Sequence, residues 1–377
     1  MLLTRFIKSI SILAAILVYS CKPTESDEVF INCAFTVEPQ TYATTNSELV
    51  FTDKSSISEG SIVSWNWNFD DGTVSTSKNP VHTYTEAKTY SISLTVKDAK
   101  QNSKTIIKRI VVSNPAKGLR RLMYQNSDTV YVCAHRAVHI NTNNLDYPEN
   151  SMTAINAAIT NKIDLFECDV RNTVDGILVL MHDATVDRTT NGTGTLNKMN
   201  YADVKKLKLK NYSSNTLTND TIPTLKQVLA YAKNKIYIAL DIDGKAPVGD
   251  VLKMVQDMDM MDEVLFFTAS QTDVSYLINN GAIAMPSCYN NATFGTYIQS
   301  NLKPLIFQTD KNGYNEEWIS MKTASIKIYS NLYMLDATLP TSDNWAQLDA
   351  NVQNGVNIVQ TDYPIEMINY LKSIHKH

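Results

Sequence analysis

The sequence predicts two folded units: an α/β (β/α)8 TIM-type barrel preceded by an immunoglobulin-like β-sandwich. Three observations support this. The chain has 377 residues, more than one ordinary domain needs. Apolar residues in the first third recur at every second position, as in strands with one buried face. The last roughly 250 residues alternate apolar runs with amphipathic stretches, the pattern and length of a barrel.

The composition permits packed cores, with 44% hydrophobic and 19% charged residues. A formal net charge of -4 and no long basic run give no reason to expect nucleic acid as a partner. An anionic substrate would need a few placed cations or a metal. The five cysteines, at 21, 33, 133, 168 and 288, show no paired or zinc-like spacing.

Residues 1–20 read as a signal peptide. Arg5 and Lys8 supply a basic start, and Ile10 to Tyr19 is apolar except for Ser11. Val18-Tyr19-Ser20-Cys21 is similar to a bacterial lipobox, which implies a lipid-modified Cys21 and an anchored chain in the bacterial cell envelope. Residues 21–32 would be a tether.

Residues 33–114 carry the sandwich pattern. Val63, Trp65, Trp67 and Phe69 alternate, as do Tyr90, Ile92, Leu94 and Val96. Asp70-Asp71-Gly72 and Asn79-Pro80 supply turns, and Ile106 to Val112 suggests a closing strand. Trp65-Asn66-Trp67-Asn68-Phe69-Asp70-Asp71-Gly72 and Asn79-Pro80-Val81-His82-Thr83-Tyr84 resemble the PKD domain, an immunoglobulin-like module. The resemblance implies a spacer or a weak glycan-binding unit. Residues 115–128 read as a linker.

Within residues 129–377, strands are expected at Thr129–His135, Ile163–Val170, Gly176–His182, Ile236–Ile242, Val264–Thr268, Ile283–Met285, Leu305–Gln308, Tyr333–Asp336 and Asn357–Thr361. Helices are expected at Ser151–Thr160 and Thr224–Lys233. Polar residues gather at the C-terminal ends of these strands, where barrels place their chemistry. His135-Arg136, Glu167 with Asp169, His182-Asp183, and Asp241 with Asp243 all sit there.

Residues i and i+2 of a strand face the same way about 7 Å apart, so Glu167 and Asp169 point together and Cys168 away. With Asp241 they form a hard oxygen donor set suited to Ca2+ or Mg2+. His135 and His182 could divide acid and base duties near neutral pH. Arg136 is a planar cation suited to phosphate.

Ala134-His135-Arg136, Pro148-Glu149-Asn150-Ser151, Glu167-Cys168-Asp169-Val170, His182-Asp183, Asp187-Arg188-Thr189-Thr190-Asn191-Gly192, Ile222-Pro223-Thr224-Leu225 and Thr361-Asp362-Tyr363-Pro364 resemble, in order and spacing, the motifs of the glycerophosphodiester phosphodiesterase family. The resemblance implies metal-dependent hydrolysis of a small phosphodiester. It makes His135 and His182 the acid/base pair, Arg136 the phosphate contact, and Glu167, Asp169 and Asp241 the metal ligands. Glu149 and Asn150 would support them. A related phosphodiesterase acting on lysophospholipids or polymers, and a barrel that binds without cutting, are the competing readings. Two departures stand out. Ala137 replaces the family's glycine, and Asp243 stands where the family often has a phosphate-holding lysine, with Lys245 the nearest cation in sequence. His139–Tyr147 reads as an insertion beside the pocket.

Overall fold

The computed structural model describes residues 29–38, 43–125, 127–141, 143–288, 290–300, 302–309, 316–332 and 345–377. The expected signal segment, Cys21 and the expected strand Tyr333–Asp336 lie outside these residues.

The sandwich packs two sheets face to face. One runs in the order Ala43–Thr44, Ser103–Ser113, Lys88–Asp98, Ile62–Asn68, Val74–Ser75; the other is Phe35–Glu38, Glu48–Asp53, Val81–Thr83. The predicted alternation holds from Trp67 onward, whereas Val63, at a register shift in the strand, is exposed and Trp65 is only partly buried. Trp67, Phe69, Tyr90, Ile92, Leu94 and Val96 are buried with Phe35, Leu49 and Phe51 from the facing sheet. Asp70 (φ 63°) and Gly72 (φ 89°) make the predicted turn between Ile62–Asn68 and Val74–Ser75. His82 stacks on Phe69 at 4.2 Å and pairs with the exposed turn residue Asp71 at 2.7 Å, which gives both residues structural partners.

Eight parallel strands form the barrel: β1 Tyr131–Ala134, β2 Leu165–Asn172, β3 Tyr237–Asp241, β4 Val264–Phe267, β5 Ile283–Met285, β6 Ile306–Thr309, β7 Lys327–Asn331 and β8 Ile358–Thr361. Each pairs with its neighbour in sequence, and β8 returns to β1. A parallel bridge between Ser287 and Gln308 brings β5 to β6 and completes the ring. Outward side chains such as Val132, Phe166, Cys168, Ile238 and Phe307 pack under the helices. Inward ones form the barrel interior: Cys133, Leu165, Ala239, Leu265, Ile283, Ile306, Tyr329 and Ile358, one from every strand. Helix starts follow capping chemistry. Ser151 accepts from Ala154 N to start Met152–Thr160, and Thr224 with Gln227 forms a capping box for Leu225–Ala232.

Two expectations need correction. Gly176–His182 is not a barrel strand. Its core, Leu178–Leu180, turns back antiparallel on the upper part of β2, so β2 and this short strand make a hairpin above the barrel. The run is as apolar as a barrel strand because both its faces are buried: Leu178 and Leu180 join the main barrel core, while Val179 and Met181 pack with Val186, Leu196, Val204, Leu209 and Ile222. Consequently His182 reaches the site from that hairpin and Asp241 ends the third barrel strand. The seventh strand is Lys327–Asn331, in a stretch where no strand was predicted. Its inward positions are Tyr329 and Asn331, so it shows no apolar run.

The segment between the units holds a helix, Leu119–Tyr124. Its Leu119, Leu122 and Met123 pack on the barrel's inward residues from the strands' N-terminal end.

Candidate active site at the barrel mouth

One position above the inward apolar layer, the eight strands present His135, Glu167, Asp241, Phe267, Met285, Gln308, Asn331 and Gln360, which line a cavity of about 330 Å³. Arg136, Asp169 and His182 complete its charged side. A larger crevice of about 560 Å³ lies at the other end, between barrel and sandwich, and brings none of these groups together.

The turn after β1 sets the first group. Arg136 (φ 50°) and Ala137 (φ 65°) are both left-handed. The family's glycine position therefore demands a positive φ, which Ala137 adopts at a cost of about 1 kcal/mol. Arg136 donates its backbone N–H to Glu167 Oε2 at 2.9 Å and its guanidinium to both Glu149 oxygens at 3.2 Å. His135 pairs through Nδ1 with Asp362 Oδ1 at 2.7 Å, across the β1–β8 seam. Burial works to lower its pKa. The Asp362 hydrogen bond and the Glu167 charge outweigh burial and hold it above the usual histidine value. His139 from the insertion lies behind, fully buried, with Nε2 3.5 Å from Asp362 and its ring 4.4 Å from Tyr212.

His182 is built in the same way. Its Nδ1 meets Asp183 Oδ1 at 2.7 Å, and Arg188 grips Asp183 through Nε at 2.8 Å. The Arg188 hydrogen bond holds the Asp183 carboxyl well below the usual range. Arg188 also donates to Glu149 at 2.7 and 2.8 Å, so Glu149 ties both arginines together. Each histidine thus has Nδ1 held by a carboxylate, which fixes the orientation of its ring.

The carboxylates converge as the i, i+2 spacing predicts. Donor atoms of Glu167, Asp169 and Asp241 lie within 4.8 Å of one another. Asn150 (φ 55°) clasps Asp169 from both sides, giving Nδ2 to Oδ2 at 2.9 Å and accepting from Asp169 N at 3.1 Å. Burial, and then the neighbouring Asp169 charge, push the Glu167 carboxyl well above the usual range. Asp169 is equally buried, but Lys245 and Arg136 hold it below its ordinary value. Crowded, buried, all-oxygen donors of this kind fit a hard divalent cation, which would relieve the repulsion that raises Glu167.

The position of concern in the sequence resolves simply. The Asp243 side chain turns away from the mouth and accepts from Thr268 Oγ1 at 3.1 Å and Ala269 N at 2.8 Å. Lys245 lies behind the carboxylates and donates to Asp169 at 2.5 Å and Asp241 at 2.6 Å. All eight barrel residues singled out in the sequence meet in this one region. Asp362, Arg188 and His139 were given no assigned role there, and Lys245 was named only as the cation nearest Asp243. Two of them lay inside the quoted motifs, but their roles follow only from contacts.

The family model for the glycerophosphoryl diester phosphodiesterase family matches residues 141–332, and that for the PKD domain matches residues 34–112. The first covers just over half of the 377 residues, and the chain belongs to the glycerophosphoryl diester phosphodiesterase family. It is similar to glycerophosphodiester phosphodiesterase 1 of Bos taurus, 39% identical over 132 residues, which cover 34% of this chain and 38% of that relative. The matched region spans less than half the length of the curated relatives. Solved structures agree in fold. A glycerophosphoryl diester phosphodiesterase from Parabacteroides distasonis superposes with a TM-score of 0.59 at 20% identity, covering 68% of this chain and 93% of that one. A phosphodiesterase from Oleispira antarctica, solved with sn-glycerol-3-phosphate, gives 0.53 at 19% identity, covering 66% and 100%.

Proposed function

We propose that the barrel hydrolyses glycerophosphodiesters to a glycerol phosphate and an alcohol. The observation that carries this reading is the pair of histidines with carboxylate-held Nδ1 atoms flanking one cavity with Arg136 and three converging carboxylates. Glu167, Asp169 and Asp241 would hold a divalent cation, Ca2+ or Mg2+, and such an ion supplies charge neutralisation at a phosphodiester. Arg136 contacts the phosphate oxygens, fixed in place by Glu149. One imidazole takes the proton of the attacking hydroxyl, from water or from the glycerol itself, in which case the cyclic phosphodiester formed is then opened by water to glycerol phosphate. The other gives a proton to the departing alkoxide as its P–O bond breaks. Lys245 supplies the cation that Asp243 does not, which weighs against a barrel that binds without cutting.

The reading extends to the whole chain. A lipid-modified Cys21 anchors it in the bacterial envelope, and the PKD-like unit serves as spacer or glycan contact. Metabolic labelling with a fatty acid tests the anchor, and loss of label in Cys21→Ser is the expected result.

The chain from residue 22 onward, incubated with glycerophosphocholine and glycerophosphoethanolamine, tests the activity. Turnover should stop with EDTA and return with Ca2+ or Mg2+. His135→Ala and His182→Ala should each lower kcat at least about hundredfold while the circular dichroism spectrum is retained. Near-normal rates in either variant would remove that histidine from the mechanism.

A further inference from the structure

His139 is a titratable group with no part in the chemistry above. It heads the insertion between β1 and the helix Met152–Thr160, and the chain holds it firmly. Its carbonyl accepts from Tyr147 N at 2.8 Å, and Tyr147 O accepts from Tyr212 N at 3.2 Å. The Asp146 carboxylate accepts from Ser213 N and Ser214 N at 2.7 and 2.9 Å. The imidazole is fully buried beneath the Tyr212 ring. Its Nδ1 lies 3.1 Å from Ala137 O. A carbonyl only accepts, so Nδ1 carries a proton. Nε2 faces Asp362 Oδ1 at 3.5 Å and is buried without a hydrogen bond. That same oxygen pairs with His135 Nδ1 at 2.7 Å.

We infer that His139 is a positioning residue for His135: the two imidazoles share one carboxylate oxygen, and a proton on His139 Nε2 decides whether Asp362 serves His135 alone. Its effect on turnover rests on the proposed activity; the coupling between the two rings does not. With Nδ1 already protonated, Nε2 has two states. As a bare lone pair it repels Asp362 Oδ1 and leaves that oxygen to the His135 N–H. When water gives it a proton, it becomes a charged donor facing the same oxygen, in a ring centred 6.4 Å from that of His135. The bond that holds His135 then weakens. The groups that face the His139 ring are Asp362 after β8, His135 at the end of β1, Glu149 ahead of Met152–Thr160 and the Tyr212 phenol. Burial outweighs the two carboxylates and holds His139 below the usual histidine value. The bare state therefore prevails at neutral pH, and the charged state forms only in acid.

The test is 15N nuclear magnetic resonance of the six histidines in the chain from residue 22 onward, titrated from about pH 8 to about pH 5. His139→Gln or His139→Phe assigns the His139 signals, and His135→Ala those of His135. The phenylalanine keeps a ring against Tyr212, so two variants guard against one that fails to fold. At about pH 8, His139 should show a protonated Nδ1 and a bare Nε2. Its Nε2 should gain a proton only below about pH 6.5, and the His135 Nδ1 signal should move in the same step. That step should vanish from the His135 signal in both His139 variants. A His139 protonated on Nε2 at about pH 8, or a His135 signal indifferent to the His139 step, would overturn the inference. Turnover of glycerophosphocholine is scored separately. The ratio of kcat at about pH 8 to kcat at about pH 5.5 should fall at least about threefold in both His139 variants, and an unchanged ratio in both would also overturn it. Coupled signals without turnover sink the proposed activity and keep the role of His139; turnover with uncoupled signals does the reverse.

Discussion

At the scale of residues, the site is a set of charges that hold one another. His135 and Asp362 define a pH window whose sign follows from their shifts. The histidine's pKa is raised, so its contribution is complete below about 6.5 and is lost as the pH rises through the raised value. Burial would raise Asp362, but the bond to His135 holds it below its ordinary value, so its contribution is lost only as the pH falls through that depressed value. Asp362→Asn should therefore cost about 2 kcal/mol in urea unfolding at pH 5.5 and clearly less at pH 9. It should also lower kcat at least about hundredfold, because the asparagine no longer fixes which imidazole nitrogen carries the proton. A cost independent of pH would mean that the pair is not ionic. Lys245→Met removes the cation that Asp169 and Asp241 share. Thermal unfolding in EDTA should show a loss of about 3 kcal/mol, and added Ca2+ should recover most of it. A loss unaffected by Ca2+ would separate Lys245 from the carboxylate cluster.

At the scale of elements, what could be read from the sequence depended on whether a local pattern had one physical origin. Glu167 and Asp169 could be placed together because strand geometry alone puts i and i+2 on one face. Gly176–His182 misled because an apolar run records burial without recording what buries it. Here one face packs on the edge of the barrel core and the other on the small cluster around Val186 and Leu196. Lys327–Asn331 stayed hidden for the opposite reason: its inward residues serve the cavity, so the apolar signal is absent. Lys245 and Asp243 exchange their expected roles through the loop after β3, where side-chain direction has no period to read. Because His182 rides on the hairpin and its separate cluster, that unit should open before the barrel does. Leu196→Ala, in a fully packed position, should cost about 2–3 kcal/mol locally. Hydrogen exchange should then quicken across Leu178–Leu209 and activity should fall at temperatures where β1 and β2 stay protected. Uniform loss of protection would join the hairpin to the main core.

At the scale of the whole molecule, the two units meet at the end of the barrel away from the chemistry. Thr89 N lies 3.4 Å from Asp259 Oδ1, and Arg109 reaches Gln256. Between them, the helix Leu119–Tyr124 belongs physically to the barrel, since Leu119, Leu122 and Met123 close its floor. A barrel beginning at residue 115 should therefore fold and turn over substrate. One beginning at residue 129 should be less stable by about 4 kcal/mol or more, at roughly 1.5–3 kcal/mol per buried side chain. Equal midpoints in urea would make the helix a mere connector. The central claim, that the barrel mouth cleaves glycerophosphodiesters, is tested most directly by following glycerophosphoethanolamine by 31P nuclear magnetic resonance with the chain from residue 22 onward and Ca2+ or Mg2+. The account predicts that the diester signal gives way to a glycerol phosphate monoester and that EDTA abolishes the change. A diester signal that persists with either metal would contradict it.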